Sequence, residues 1–190
     1  MNIRQSFRQK ISQAVDTLES FAQRSWYVPF ISFLAALDNL VLIIPNDGIL
    51  VSSTMLTPKR WFYIALAVSI GSTIGAVVLA ELVQYHGFPW VLEIYPSINE
   101  STLWLKTVEF FEEYGLLLVF FVALTPIAQQ PAVILAGIAH TPILKLASVI
   151  FVGRFIKYLI LAYLASHAPK VLNKLWGIKG ELKDVGIQLK

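Results

Sequence analysis

Residues 114–144 read YGLLLVFFVALTPIAQQPAVILAGIAHTPIL, a stretch of 31 residues without a formal charge. Pro126, Pro131 and Pro142 rule out a single helix through it, because a proline has no backbone donor and its ring clashes with the preceding turn. The prolines leave two apolar pieces, 116–124 and 132–139. Neither reaches the ~20 residues that a helix needs to cross a bilayer. Two short helices joined by Thr125-Pro126-Ile127-Ala128-Gln129-Gln130-Pro131 therefore predict a re-entrant hairpin over 115–141, whose broken backbone has to be buried in protein or face a watery cavity.

The same pattern occurs upstream. Over residues 25–58 the only charges are Asp38 and Asp47, and Pro29, Pro45 and Pro58 punctuate the run. A straight helix of that length would measure ~50 Å against a hydrocarbon core of ~30 Å. The chain has to bend, and Ile43-Ile44-Pro45-Asn46-Asp47-Gly48 carries the turn chemistry: a missing donor at Pro45, turn-tolerant Asn46 and Asp47, and a permissive Gly48. A first hairpin is predicted over 26–57. Between the two hairpins, residues 61–80 form an uncharged run of 20 residues behind Lys59 and Arg60. This predicts a spanning helix over 60–86, with Gly71 and Gly75 spaced for close helix contact. Residues 143–167 predict a second spanning helix, in which Lys145, Arg154 and Lys157 are embedded. Gly137 and Gly153 are read as further close-packing positions.

Composition agrees with a membrane protein. Of 190 residues, 56% are hydrophobic and 14% charged, which is too apolar for an ordinary soluble domain. The net charge of +3 comes from scattered basic residues, which excludes a nucleic-acid stripe. The chain has no cysteine, so disulfides, thiolate metal sites and a Cys nucleophile are excluded. Residues 1–25 show apolar positions three or four apart (Ile3, Phe7, Ile11, Leu18) opposite Arg4, Arg8 and Asp16, which predicts an amphipathic interfacial helix rather than a cleavable signal. Residues 87–114 are acidic and are expected to form an extracytoplasmic segment. Its helix, from Ser101 onward, is expected to be capped by Asn99 or Ser97 and stopped by Gly115. The tail 169–190 is Lys-rich. Positive charge collects on the cytoplasmic side of membrane proteins, so both termini, Lys59 and Arg60 are assigned to the cytoplasm and 87–114 outside. The expected fold is all-α and integral to a membrane: two transmembrane helices and two opposed re-entrant hairpins as an inverted repeat around a membrane domain of 26–168, with amphipathic interfacial helices.

The succession Asp38, Ile44-Pro45-Asn46-Asp47, Gly71-Ser72-Thr73-Ile74-Gly75, Tyr114-Gly115, Thr125-Pro126-Ile127, Ala136-Gly137 and Val152-Gly153-Arg154 with Lys157 resembles the DedA superfamily, also called the VTT or SNARE-associated-domain family, in its YqaA-like branch. The resemblance implies a multi-pass protein of the bacterial inner membrane with two opposed re-entrant loops and movement of lipids across bilayers, as flippase or scramblase, with proton coupling in some members. It implies that Asp38 corresponds to the acidic residue on the first hairpin arm and Asp47 to the acid after the hairpin proline. The second hairpin departs from the family pattern: where arginines flank the loop proline in the larger branch, this chain has Thr125 and Gln129-Gln130. Buried positive charge has to come from Arg154 and Lys157.

Each residue has two readings. Asp38 and Asp47 cost about 2.5–3.5 kcal/mol each in apolar surroundings, so they either carry protons or substrate, or are held in ion pairs; Asp47 could equally cap the returning half-helix. Arg154 matches phosphate geometry with its fork, and Lys157 adds a point charge on the same helical face. The alternatives are a salt bridge from Arg154 to Asp38 or Asp47, and Lys157 snorkelling to headgroups. Gln129 and Gln130 are expected to satisfy broken backbone at the tip. No metalloprotease motif, nucleophile elbow or P-loop is present, so an enzyme is not expected, and neither a cofactor nor a metal. The expected function is transport of a lipid, a polyprenyl phosphate or a phospholipid, with protons or sodium as coupling ion. The alternatives are a membrane scaffold and a proton-coupled transporter of a small solute.

Overall fold

A computed structural model describes residues 22, 24–39, 46–94, 96–126 and 128–167. The expected N-terminal helix, the basic tail and Pro45 lie outside the described residues. Within them the fold is all-α: α1 Tyr27–Leu37, α2 Asn46–Leu56, α3 Trp61–Ile94, α4 Thr102–Tyr114, α5 Leu116–Leu124, α6 Gln130–Ile138 and α7 Ile143–His167. Helix α7 has the bounds expected of the second span, and α1–α2 and α5–α6 fall inside the two expected hairpins. Both second arms begin earlier than the turn chemistry suggested. Asn46, Asp47 and Gly48 form the first turn of α2, and Gln130 and Pro131 open α6. A proline has no donor to lose at a helix start, and an acid there meets the positive end of the helix dipole.

The segment after the first long helix also differs from expectation. Helix α3 breaks at Gly87, whose φ of 77° and ψ of −178° are essentially restricted to glycine, and a second helical piece runs over 88–94 with Pro89 near its start. Sequence reading put the whole of 87–100 outside any helix because its acids drew attention from the apolar Phe88, Trp90 and Val91. These side chains fold back: Phe88 stacks on Trp104, and Val91 and Trp104 are buried with α6. Helix α4 begins after Ser101, not after Ser97 or Asn99, and Ser97 instead precedes the short 3-10 turn Ile98–Glu100.

The packing repeats between the halves. The first arm of each hairpin lies on the long helix of its own half (α1 on α3, α5 on α7), and the second arm lies on the long helix of the other half (α2 on α7, α6 on α3). Small residues make the first of these contacts possible. A side chain at Gly71 would collide with the Ser32 carbonyl, and one at Gly75 with the Ala36 backbone, so α1 and α3 approach backbone to backbone. Gly137 sits against Ala80 and Val83, and Gly153 against Phe120 and Ala123, as expected of packing positions.

Two apolar cores result. One gathers Ile31, Leu50, Ile64, Val68, Leu161 and Ala165 at the start of α3 and the end of α7; the other gathers Leu79, Val83, Val133, Ile134, Leu146 and Ile150 at the opposite end. Between them lies a polar layer. Ser72 on α3 and Arg154 on α7 are each ~17 Å along their helices at ~1.5 Å per residue, so they lie at the same level. The outer faces carry exposed apolar side chains, including Phe33, Ile74, Leu117, Phe121 and Ile160.

Among the described residues, one helical stretch, Pro58–Ile94, is long and apolar enough to cross a membrane. Two such spans were expected. Helix α7 has the length, 25 residues, but Lys145, Arg154 and Lys157 interrupt its apolar run.

Candidate functional site

The polar layer opens into a cavity of about 370 Å³ between the hairpin tips, lined by Asp38 and Asp47 from the first hairpin, Thr125, Gln129 and Gln130 from the second, and Arg154, Lys157 and Tyr158 from α7. All four charged residues singled out from the sequence therefore meet in one place. Thr125, Pro126 and Ala128, in the connection between α5 and α6, complete one wall.

Arg154 is the centre of the network. It is only 6% exposed, its Nε donates to Gln129 Oε1 at 2.7 Å, and its Nη2 donates to Asn39 Oδ1 at 3.0 Å. One guanidinium thus ties α7 to both tips. The expected salt bridge from Arg154 to an aspartate is replaced by these two amide oxygens. Asn39 in turn donates from Nδ2 to the Ser72 carbonyl at 3.0 Å and to that of Ala35 at 3.2 Å, which anchors the end of α1 on α3. The tips are also joined directly, since Gln130 Nε2 donates to the Asp38 carbonyl at 3.2 Å.

The ion pair lies elsewhere. Lys157 Nζ is 2.9 Å from Asp47 Oδ2, and it also sits 5.3 Å from the centre of the Tyr158 ring. Lys157 turns toward the cavity instead of snorkelling outward, because the first turn of α2 brings a carboxylate within its reach. Asp47 is the second residue of α2 and so is not its cap. Asp38 accepts from Asn46 Nδ2 at 2.8 Å, a bond that closes the first hairpin across its turn. Arg154, Asp47 and Lys157 are all near enough to act on the Asp38 charge. Two acids and two bases balance formally.

Two bonding positions remain open. Gln129 Nε2 and Gln130 Oε1 are buried without a partner, although the residues are only 4% and 8% exposed. Their orientations are determined by their other ends: the Gln129 oxygen must face the Arg154 donor, and the Gln130 amine must face the Asp38 carbonyl. An unmade buried hydrogen bond is costly, so these two open positions set the glutamines apart from the satisfied polar groups around them. Gln130 bonds backbone, at the Asp38 carbonyl, whereas Gln129 holds the Arg154 side chain. Asn39 and Ser72 were missed. The Asp38-Asn39 pair inside an apolar run was the available signal for the first, and the Gly71-Ser72-Thr73 stretch for the second.

The described residues include no group of His, Cys, Asp and Glu able to hold a metal. Glu81, His140 and His167 lie on the surface, away from the cavity.

No family model matches the chain, and no solved structure matches it. A protein of Haemophilus influenzae described as uncharacterized is 26% identical over 151 residues, which cover 80% of this chain and 78% of that protein.

Proposed function

We propose that this chain is a DedA-like integral membrane protein that moves a lipid with an anionic headgroup across the bilayer. The observation that carries this reading is the cavity at mid-height between two hairpin tips, holding Asp38, Asp47, Arg154 and Lys157 beside an unmade donor on Gln129. Charged groups at that depth are expensive and belong to substrate or ion pathways. In this reading α3 and α7 cross the membrane, the hairpins enter from opposite sides as an inverted repeat, and the termini are cytoplasmic. The exchanged packing of the hairpin arms supports the repeat, and the exposed apolar outer faces support a lipid environment.

The chemistry follows from the geometry. Arg154 and Lys157 attract the headgroup, and the start of α6 adds its positive dipole end. The Lys157 to Asp47 pair has to open when an anion takes the lysine, so headgroup entry is coupled to release of a carboxylate. In this reading the released Asp47 carboxylate is where a coupling ion binds.

The test is reconstitution of purified protein into liposomes containing a reporter-labelled polyprenyl phosphate or glycerophospholipid, with and without a pH gradient. Movement by the wild type that is lost in folded Asp38→Asn supports the proposal. Movement equal to that of empty vesicles for every lipid contradicts it. A scaffold reading is favoured by one observation, that Arg154 and Lys157 both already have partners in the protein; it predicts that Asp38→Asn lowers stability and nothing else.

A further inference from the structure

A second cavity of about 390 Å³ adjoins the first, and the two share Ala128 and Gln130. Its character is opposite. The polar cavity is lined by four charged residues, whereas the second has no charged residue in its wall and is formed mainly by Ile94 at the end of α3, Pro96 and Ile98 of the α3–α4 connection, Leu103 at the start of α4, and Pro131 and Ile134 of α6. It exists because α3 reverses at Gly87 and the piece 88–94 folds back along the second hairpin, which brings Ile94 down to the level of the hairpin tip.

Gln130 stands at the boundary. Its Nε2 is held by the Asp38 carbonyl on one side, and its buried Oε1 has no partner. A wall residue with an unmade bond between a charged chamber and an apolar one is arranged for a molecule that changes character at that point.

We infer that the second cavity is a hydrocarbon-chain subsite: the lipid seats its headgroup among Asp47, Arg154 and Lys157, and one of its chains runs past Gln130 into the groove between the α3–α4 connection and α6. This rests on the lipid-transport reading and specifies how that lipid is held. The occupant is an alkyl or isoprenoid chain and not a protein segment, since the groove adjoins a headgroup-sized polar cavity across the shared residues Ala128 and Gln130, and each compartment lies within the ~300–1,000 Å³ usual for small-molecule sites. A chain gains little hydrophobic free energy by leaving lipid for an apolar groove, because lipid tails are as apolar as the groove wall. The groove's contribution is positional. It keeps the chain in apolar contact while the headgroup is at mid-depth, and it sets the orientation in which the lipid enters.

The experiment uses the full chain in phosphatidylcholine vesicles doped with phosphatidylglycerol that carries a photoreactive diazirine either at the end of one acyl chain or on the headgroup. Crosslinks are mapped by mass spectrometry. The chain probe is expected on Ile94, Ile98, Leu103 and Ile134, and the headgroup probe on Thr125 and Ala128. In parallel, Ile94→Trp and Leu103→Trp fill the groove at positions that are 47% and 44% exposed and so tolerate substitution. Each should slow lipid movement roughly five- to tenfold through overpacking of the groove. Protection of Ala128→Cys from thiol reagents by glycerol 3-phosphate, a chainless headgroup, should be unchanged. Leu144→Trp, at an 81% exposed position, is the control and should have no effect. Chain crosslinks confined to outer faces such as Leu117 and Phe121, together with undiminished movement in both groove variants, would overturn the inference while leaving the transport reading intact. Absence of lipid movement in the wild type would remove both.

Discussion

The two hairpin tips face one cavity with opposite chemistry. The first carries the charge, Asp38 and Asp47, and its acids are engaged: Asp38 by Asn46 and Asp47 by Lys157. The second is formally neutral, and its glutamines keep a buried donor and a buried acceptor unused. The charged tip is thus the more fully satisfied one. In an apolar setting an unpaired ion is far costlier than an unpaired amide, so the side that must stay open is built from amides. The difference assigns the tips separate tasks, with the first storing charge and the second presenting unfilled hydrogen bonds.

Arg154 joins the tips, and removing it should have the largest effect on both. Arg154→Met leaves the oxygens of Asn39 and Gln129 buried without donors, and a loss of about 3–5 kcal/mol is expected, in line with breaking one side of a buried charged network. Thermal unfolding in detergent measures it. A loss below ~1 kcal/mol would mean that the two tips do not depend on this residue.

Asn39→Leu isolates the charged tip. It removes the bond to Ser72 and one of the two Arg154 acceptors, and should cost about 1–3 kcal/mol. Hydrogen exchange should rise at the end of α1 and stay unchanged in α6. Equal exchange at both tips would show that they are one unit and not two.

Gln129→Glu sharpens the comparison from the neutral side. The new carboxylate still accepts from Arg154, so stability should hold, while the open Nε2 donor disappears and a negative charge replaces it. Movement of an anionic lipid should fall by about tenfold or more, since one lost charged hydrogen bond accounts for that much. Unchanged movement would mean that the open donor has no part in function.

Asp47→Asn should have a smaller effect on stability than Arg154→Met. The pair it breaks is neither a surface nor a fully buried one, with side chains 12% (Lys157) and 30% (Asp47) exposed, and its loss should cost about 1–3 kcal/mol. The salt dependence of headgroup binding, followed by protection of a cavity thiol, should increase, because Lys157 is then free to meet the anion directly.

Much of the fold was legible because prolines and charges punctuate an otherwise apolar chain. Pro126 and Pro131 mark the second tip, and the bounds of α7 follow from Pro142 and Pro169. The piece 88–94 was not legible, since Gly87, Pro89 and Glu93 resemble a loop while its burial depends on Phe88 meeting Trp104 across a reversal that the Gly87 dihedrals create. Within the site, the residues were legible and their pairing was not. Asp38, Asp47, Arg154 and Lys157 stand out as charges in apolar runs, but whether Arg154 or Lys157 takes an aspartate depends on helix register between elements about a hundred residues apart. Asn39 carries no formal charge and no periodic signal, and it turns out to hold the network together.

The central claim is that lipid passes through the cavity between the two tips, and it can be tested at one atom. The chain has no cysteine of its own. Ala128, exposed on the cavity wall, can therefore be changed to cysteine and modified with a bulky thiol reagent in reconstituted vesicles. The account predicts that the unmodified variant moves lipid like the wild type, that modification stops the movement, and that a substrate lipid slows the modification. Lipid movement at an undiminished rate through fully modified protein would contradict it.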